Sequence, residues 1–415
     1  MTVPMRTRSP YPMISVAEAT QEIQSRIAPL PPIEVSFRQA LGYVLAENVI
    51  APADLPPAER SAVDGYAVVA QAGPLQLRVL HELTAGQSSD ISLDGGTAMR
   101  IMTGGVLPPG ANAVVMVEDT REEDSVVSIS TSPRSGDNIL GRGIDVQRGQ
   151  VILAAGRRIG PPEVGMLATV GQTQVKVHPK PRVAVLATGD EVVEPEDEPP
   201  IGYVRDSNRY AVMAAAIEAG CEVSWSGHAP DEPAALEAAM REALAVSDVV
   251  ITSGGVSMGT RDLIKPLFAS LGEIHFGRIA FKPGKPLTFA SIGQDGRTAY
   301  AFGLPGFPVS SLVTFEVFVR PALRRLQGFA QVHRPRVTAE LAHEIQPDAS
   351  RLEYHRATLR WQDGRLVATS TGKQTSSRLI TMVGANALLE VPSGQKSLPA
   401  GAQLPALLTG EIISE

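Results

Sequence analysis

Residues 252 to 260 read TSGGVSMGT and allow two different chemistries. The embedded G-x-S-x-G pattern is that of a nucleophilic serine at a strand-to-helix turn. Ser257, however, stands five residues beyond the predicted end of the preceding strand, and Asp262 is too close along the chain to act opposite it in a catalytic triad. The same glycines instead direct backbone N–H groups at an anion ahead of a helix N-terminus. We therefore favour an anion-binding loop, with a serine hydrolase as the alternative.

Asp262 follows this loop closely, where its charge would repel a bound phosphate. A cation between the carboxylate and the phosphate removes that repulsion, and Mg²⁺ is typically held by one or two carboxylates together with phosphate oxygens. The loop and Asp262 together predict a site for Mg²⁺ and a phosphorylated ligand.

Two further charged segments contain candidate ligand-binding side chains. The segment RIAFKPGKPLTF places Arg278, Lys282 and Lys285 around a Pro-Gly turn, where three cations can hold phosphates as point charges. It is not a Walker A loop, because Lys285 is followed by proline. A solvated basic turn is the alternative for this segment. The segment ATGDEV places Asp190 and Glu191 directly after a predicted strand.

The elements that must position these residues are clearest between Arg182 and Gly328. Apolar runs there alternate with helical patterns, and the runs are VAVLA, EVSWS, DVVITS and YAFGL. This alternation predicts a parallel sheet with helices on both faces, and ligands of such sheets bind outside the carboxyl ends of the strands. The segments ATGDEV, GHAPDE, TSGGVSMGTRD and GLPGFP follow those ends, so we expect them to share one crevice.

The flanking regions have different patterns. Two capped helical patterns come first, VAEATQEIQSRIA after Ser15 and FRQALGYVLAENV after Ser36, and PPEVGMLATVG predicts a later helix. Short β-rich runs occupy residues 51 to 150, and more short strands follow Gln331. We expect the first β-rich region to be an insertion within a helical domain and the second to be a small C-terminal β domain.

Composition excludes several classes of protein. The chain has 415 residues, of which 43% are hydrophobic, with a net charge of −7 from 44 acidic and 37 basic side chains. These values are typical of a multidomain globular protein and give no extended basic surface for nucleic acid. A single cysteine, Cys221, excludes an intrachain disulfide and a thiolate zinc cluster. No apolar run is long enough for a membrane span, and the N-terminus lacks a secretory apolar segment, so we expect a cytoplasmic protein.

Eight motifs in a fixed order carry a resemblance to a known family. They are SAVDGYA (61–67), RIMTGGVLPPGANAVV (100–115), GRGIDV (141–146), ATGDE (187–191), TSGGVSMGTRD (252–262), KPGKP (282–286), GLPGFPVS (303–310) and KQTSSRLITMVGAN (373–386). This set resembles that of the molybdopterin molybdenumtransferase family, the group of MoeA and the gephyrin E-domain. The resemblance covers nearly the whole chain.

The resemblance implies a multidomain α/β fold and an elongated homodimer with the active site at the subunit interface. Four domains are implied: a discontinuous helical domain, 13–50 and 150–178; an inserted β domain, 51–149; a doubly wound α/β molybdopterin-binding domain, 179–328; and a C-terminal β domain, 329–415.

The resemblance also implies a reaction. Molybdate is inserted into the dithiolene of adenylylated molybdopterin, with Mg²⁺-dependent loss of AMP, to yield molybdenum cofactor. The implied partners are the two substrates, the molybdopterin adenylyltransferase and the apo-molybdoenzymes that receive the product. A phosphoanhydride cleavage needs a metal and cations on the phosphates, which agrees with the charged segments above. A non-catalytic scaffold of the same fold is the alternative, although nothing in the sequence resembles the additional domain of gephyrin-like scaffolds.

The site residues follow by match to the family's motifs. The implied catalytic residues are Asp262, Asp231, Lys282, Asp64, Thr103 and Asp145, of which the last three would close the cleft from the partner subunit. Those implied to bind pterin and phosphate are Asp190, Glu191, Ser253, Gly254, Gly255, Ser257, Arg278 and Lys285. Those implied for molybdate are Lys285, Ser310, Arg351 and Ser376. Those implied for Mg²⁺ are Glu191, Asp231 and Asp262.

Two positions depart from the family's pattern. Phe307 replaces the asparagine of the usual GLPGNP, which removes an amide donor and acceptor. Arg278 stands where lysine is common, which keeps the charge and changes its geometry. We expect the Phe307 ring to stack on the pterin, since Lys282 and Lys285 already serve the anions.

Overall fold

The chain is built around a six-stranded mixed sheet. The structure is a computed structural model that describes residues 10–84, 86–255, 263–294, 296–348 and 350–414. The strands of this central sheet lie in the order Glu222–Ala229, Arg182–Thr188, Val249–Ser253, Arg297–Leu304, Thr288–Gln294 and Gly272–Phe276. The first four strands are parallel to one another, which confirms the α/β prediction, and the last two pairings are antiparallel.

Helices cover both faces of the central sheet. In the strand Arg182–Thr188, Val183 and Val185 belong to one apolar core, and Ala184 and Leu186 belong to the core on the opposite face. Successive residues of a strand face opposite sides, so a strand that is buried on both faces is apolar throughout. The unbroken apolar run VAVLA therefore has a direct structural cause.

The α-helices begin at conventional signals. Three of them have proline as their first residue, where the missing N–H has no intrahelical partner to lose. In the described chain the α-helices are Val16–Arg26, Pro161–Thr169, Asn208–Glu218, Pro233–Val246, Ile264–Leu271, Pro308–Thr314 and Arg320–Leu326. A π-helical turn, Phe315–Val319, joins the last two. None of these helices is long and apolar enough to cross a membrane.

The order of the parallel strands fixes the place where a ligand can bind. Among the strands of the central sheet, numbered as the chain makes them, the first is Arg182–Thr188. It lies between the second, Glu222–Ala229, and the third, Val249–Ser253. The chain therefore winds away from the first strand in both directions, and sheets of this topology bind ligands at the carboxyl ends of the first and third strands, the place that we call the crevice. The segments ATGDEV and TSGGVS begin at these ends.

The inserted β domain is a separate six-stranded sheet. Its strands lie in the order Ala113–Met116, Gly65–Val68, Thr97–Ile101, Leu75–Leu83, Val126–Ile129 and Thr120–Glu123. Two short antiparallel pairs form its base, Arg60–Ser61 with Ile139–Leu140 and Val49–Ile50 with Val151–Leu153. The short β-rich runs of the sequence thus form a single sheet with its own apolar core.

The predicted helix after Ser36 is wrong. That segment instead forms the strand Ile33–Ser36, a 3₁₀ turn at Phe37–Gln39 and the strand Val44–Leu45, and both strands pair with Gln174–His178. Gly42 has a φ of +86°, which breaks the helical pattern, and the strand pairing satisfies backbone groups that the helix would have satisfied internally. The discontinuous domain is therefore less helical than its sequence predicts.

The first helix packs on the α/β domain. Ala19, Ile23 and Ile27 lie in the same apolar core as the strands of the central sheet. The backbone N–H of Ala280 donates to the carbonyl of Ile14 at 2.8 Å, and the Tyr300 hydroxyl donates to the carbonyl of Arg26 at 2.8 Å. The N-terminal helix thus belongs structurally to a domain that the chain reaches much later.

The C-terminal domain is a β barrel that also uses a strand from the preceding domain. Its strands lie in the order Phe281–Lys282, Leu352–Gln362, Arg365–Ser370, Arg336–Leu341, Gln403–Leu408 and Ala387–Val391, and the sheet closes because Leu352–Gln362 also pairs with Ala387–Val391. The strand Phe281–Lys282 contains the first lysine of KPGKP. The basic turn therefore lies where the α/β domain meets the C-terminal barrel.

Candidate functional site

An acidic group lies at the carboxyl ends of the first two strands of the central sheet. The carboxylate Oδ1 of Asp190 accepts a hydrogen bond from the backbone N–H of Asp231 at 2.9 Å. The Glu191 carboxylate folds back over Gly189, whose φ is +131° and whose added Cβ would lie 2.8 Å from Glu191 Oε2. A side chain at position 189 would displace this carboxylate. The structure thus joins Asp190 to Asp231 and places Glu191 against the end of the first strand, and the roles of the three carboxylates stay predictions.

Glycine is required at the end of the third strand. Gly254 and Gly255 have φ values of +97° and +64°. An added Cβ at Gly254 would lie 2.7 Å from the carbonyl oxygen of Thr188, and one at Gly255 would lie 2.8 Å from Ile264 Cγ1. The backbone of this loop therefore runs directly against the end of the first strand and against Ile264, which is possible only because side chains are missing there.

Two residues of the predicted site, Ser257 and Asp262, lie outside the described residues. Their roles remain predictions. Within the part of the chain that the structure describes, no group of three or more His, Cys, Asp or Glu side chains has the arrangement of a metal site. The Mg²⁺ set predicted from the sequence contains Asp262, so the described carboxylates are only part of that set.

Asn208 connects the two loops of the crevice and was missed by the sequence analysis. Its side-chain Nδ2 donates to Ser253 Oγ at 2.8 Å and to the carbonyl oxygen of Gly306 at 2.7 Å. Ser253 ends the third strand, and Gly306 lies in the GLPGF loop after the neighbouring strand Arg297–Leu304. The sequence contains one signal for this role, which is an asparagine in the first turn of a helix, where the side-chain amide can donate to groups beyond the helix end.

Asn208→Ala is expected to lower the free energy of unfolding by ~1–3 kcal/mol, because two hydrogen bonds are lost and their partners stay partly buried. A urea titration measures this change, and amide hydrogen exchange should become faster at both loops. Asn48→Ala is the matched control, since it removes one exposed bond to Ala155 in another domain. Equal stability and equal exchange in Asn208→Ala and the native chain would contradict the bridging role.

Three basic side chains lie near one another at the KPGKP turn, which precedes Thr288, the partner of Gly303 near the carboxyl end of the strand Arg297–Leu304. Partial burial, together with the nearby charges of Arg278 and Arg351, lowers the pKa of Lys285 below its ordinary value. Arg351 comes from the C-terminal domain and donates from Nη1 to the carbonyl of Phe281 at 3.4 Å. Like charges are held together here, so a bound anion would relieve their repulsion.

Lys282 is placed differently from its two neighbours. Its ammonium lies 3.3 Å from Glu353 Oε1 and 3.4 Å from Asp348 Oδ2, and Glu353 is also 2.8 Å from His355 Nε2. Lys282 therefore links the α/β domain to the C-terminal domain through ion pairs. Its predicted contact with an anion would have to compete with these two carboxylates.

The GLPGF loop and the KQTSS segment meet beside these cations. The backbone N–H of Val309 donates to the carbonyl of Ser376 at 3.1 Å, and the adjacent Ser310 is buried. The Phe307 side chain is 59% exposed, so its ring is open to a ligand or a partner. The structure thus brings the backbone of Ser376 to the residue next to Ser310, and the molybdate role of the two serines stays a prediction.

The three residues predicted to act from the partner subunit lie in the inserted domain or at its base. Asp64 Oδ1 accepts from the backbone N–H of Thr103 at 2.6 Å and from its hydroxyl at 2.8 Å, and these bonds lower the pKa of Asp64. The N–H of Asp145 donates to the carbonyl of Leu55. None of the hydrogen bonds or ion pairs of the described residues connects these three to the crevice.

Comparison with known proteins gives matches along the whole length of the chain. Three family models match in succession: the MoeA N-terminal region (domain I and II) over residues 14–171, a probable molybdopterin binding domain over 184–325, and the MoeA C-terminal region (domain IV) over 338–409. A molybdopterin molybdenumtransferase of a Nostoc species is 36% identical over 96% of this chain and 94% of its own length.

Two further relatives add a structure and a longer protein. A crystal structure described as a molybdopterin biosynthesis MoeA protein from Pyrococcus horikoshii superposes with a TM-score of 0.83 at 31% identity, covering 96% of this chain and all of the other. Gephyrin of Dictyostelium discoideum is 35% identical over 91% of this chain, and the match spans 60% of gephyrin's length.

Proposed function

Since the chain belongs to the molybdopterin molybdenumtransferase family, we propose that it inserts molybdenum from molybdate into adenylylated molybdopterin, with Mg²⁺-dependent release of AMP. The observation that carries this proposal is the arrangement of the crevice. Asp190 and Asp231 follow two of the parallel strands, and the KPGKP turn precedes Thr288, which pairs with Gly303 near the end of a third. Carboxylates and basic side chains therefore lie at the same edge of the sheet, where α/β proteins bind ligands.

The acidic side of the crevice suits a divalent cation and a phosphoanhydride. Mg²⁺ prefers oxygen ligands, and the carboxylates of Asp190, Glu191 and Asp231 offer them. In the sequence, Asp262 comes shortly after the loop at the end of the third strand. When bound, Mg²⁺ would neutralise charge on the phosphate oxygens as the bond to AMP breaks. The loop that begins at Gly254 and Gly255 would orient the substrate phosphates, since the absence of side chains at both positions leaves its backbone accessible to a ligand.

The basic side of the crevice suits molybdate. Lys285, Arg278 and Arg351 repel one another without a ligand, and a tetrahedral dianion placed among them would be held by charge-assisted hydrogen bonds. The Ser310 and Ser376 hydroxyls would add uncharged donors at the same place. We assign Lys282 to holding the two domains together beside the anion, because its ammonium already has two carboxylate partners.

The proposed reaction is tested directly with purified protein. Adenylylated molybdopterin and molybdate are supplied with and without Mg²⁺, and AMP release and molybdenum incorporation are measured together. We expect both products in similar amounts, and neither without Mg²⁺. Binding of the pterin substrate with no AMP release under any metal condition would favour the non-catalytic scaffold.

We also propose that the active unit is a homodimer. Asp64, Thr103 and Asp145 are matched to catalytic positions of the family, and they lie outside the crevice of their own chain. A second subunit would bring an inserted domain to each crevice. Light scattering should therefore give twice the mass of the chain, and a monomer with full activity would contradict the shared site.

Phe307→Asn restores the family's usual residue in the GLPGF loop. Because the ring is 59% exposed, we expect it to stack on the pterin, where an aromatic contact contributes ~0.5–1.5 kcal/mol. The variant should change the half-saturating concentration of the pterin substrate less than about tenfold, and molybdate dependence should stay the same. Trp361→Asn, another exposed aromatic, is the control. A sharply lower half-saturating molybdate concentration in Phe307→Asn would show that the loop serves the anion.

A further inference from the structure

The C-terminal barrel contains a buried arginine that the catalytic proposal does not use. Arg356 lies within the strand Leu352–Gln362 and has no exposed surface. Its guanidinium donates to Thr381 Oγ1 from Nε at 3.2 Å and from Nη2 at 3.1 Å, and Nη2 also donates to the carbonyls of Lys373 at 3.3 Å and Thr375 at 3.1 Å. Burial without a compensating carboxylate among the described residues lowers its pKa to about 10.

These acceptors all belong to one irregular segment, residues 373–381, which we call the Ser376 loop. The same segment is also attached to the main chain of Arg356, because Gln374 accepts from its N–H at 2.8 Å and donates to its carbonyl at 3.1 Å. A buried charge costs free energy, and a hydrophobic residue of similar size often stabilises a core better. The contribution of the guanidinium is therefore geometric, since it satisfies carbonyls that no neighbouring strand reaches.

The Ser376 loop is attached to the crevice at its other side. The carbonyl of Ser376 accepts from the backbone N–H of Val309, which lies in the first turn of the helix Pro308–Thr314. Val309 stands next to Ser310, the second hydroxyl proposed to contact molybdate. The position of the loop on the guanidinium therefore determines where the Ser376 side chain stands relative to Ser310.

We propose that Arg356 is a positioning residue for the anion side of the active site, which it serves by fixing the Ser376 loop against the α/β domain. This inference rests on the proposed function, because it assumes that Ser376 contacts molybdate. Arg356 itself is buried and touches no substrate. Its loss should release the loop and weaken the hold on molybdate, while the acidic side of the crevice keeps its affinity for the pterin substrate.

The test compares Arg356→Met with the native protein and with Arg360→Met, an exposed arginine of the same strand. Amide hydrogen exchange should become at least about tenfold faster within residues 373–381 and stay unchanged in the rest of the barrel. The dissociation constant for inorganic molybdate should rise about tenfold, the effect of losing one hydrogen bond to a charged group, while half-saturation by adenylylated molybdopterin stays the same. Arg360→Met should change neither quantity.

A second variant and a second serine substitution make the outcomes decisive. If Arg356→Met does not fold, Arg356→Lys serves the same test, because an ammonium keeps the charge but cannot reproduce the planar set of donors. Exchange that stays slow in the loop, or that rises throughout the barrel, overturns the inference. The inference is also overturned if Ser376→Ala weakens molybdate binding while Arg356→Met leaves the molybdate affinity unchanged. If neither substitution affects molybdate binding, the anion role of the loop in the proposed function is wrong, and the inference fails with it.

Discussion

Asp231→Asn is expected to lower the rate of Mg²⁺-dependent AMP release by about 10³-fold and to leave the chain folded. The substitution keeps the size of the side chain and the backbone N–H that Asp190 binds at 2.9 Å, so the geometry of the acidic group should survive. It removes one negative charge from the site proposed for the cation. A neutral amide cannot replace a carboxylate there, because Mg²⁺ binds strongly only to charged or well-ordered oxygen donors.

The control for this prediction is Asp197→Asn, which removes an exposed carboxylate from the loop that follows the neighbouring strand Arg182–Thr188. Both variants carry the same change in net charge, so a difference between them reports on position. Activity is followed as AMP release over a range of Mg²⁺ concentrations. A native rate and a native half-saturating Mg²⁺ concentration in Asp231→Asn would exclude a metal-binding role for this residue.

Lys285→Met is expected to lower kcat/KM for molybdate by about 10²-fold or more, because it removes a charge from the centre of the basic side. The unfolding transition should not move to lower temperature, since the substitution also removes repulsion from Arg278 and Arg351. A merely structural lysine would show the opposite pattern. Lys176→Met, which breaks an exposed ion pair with Glu47, is the control. Full activity, or an activity loss that follows a loss of stability, would contradict the anion-binding role.

The pH dependence of the native protein follows from the same pKa. The folded-state pKa of Lys285 is below its unfolded value, so the unfolded chain binds more protons between the two, and this residue's contribution to stability rises with pH in that range. A bound anion has the opposite preference and requires the charged ammonium. As the pH is raised, molybdate affinity should therefore begin to fall at a lower pH than it would if Lys285 had the ordinary pKa of a lysine. Lys285→Met should abolish this pH-dependent fall in affinity.

The sequence predicts the α/β domain well because burial on both faces leaves a simple pattern. Strands such as Arg182–Thr188 are buried on both faces and are therefore apolar along their length. In the helices between them, apolar residues recur at helical spacing, so the two kinds of element can be told apart. The two antiparallel strands, Gly272–Phe276 and Thr288–Gln294, were missed because charged residues and a Pro-Gly turn lie between them. Their pairing depends on neighbours that the local sequence does not reveal.

The sequence predicts which residues form the candidate site, but it does not predict which of them form ion pairs and hydrogen bonds with one another. Glu353, the nearer carboxylate partner of Lys282, is 71 residues away in the sequence, so nothing near KPGKP indicates that this lysine is ion-paired. Asn208 was passed over as the beginning of a helix, although its amide connects two strand ends. The false helix after Ser36 has the same origin, since its strands pair with a segment beyond the inserted domain.

The attachment of the first helix to a late part of the chain has a consequence for the order of folding. The hydrogen bond from Tyr300 to Arg26 spans 274 residues, and the buried residues of the helix lie in the apolar core of that distant domain. An isolated helix of 11 residues is barely stable in water, so the packing of Ala19 and Ile23 in that core must stabilise it. During synthesis from the N-terminus, this helix must therefore wait for a domain that is made much later before it reaches its native contacts, and its apolar residues stay uncovered on the ribosome until that domain has emerged.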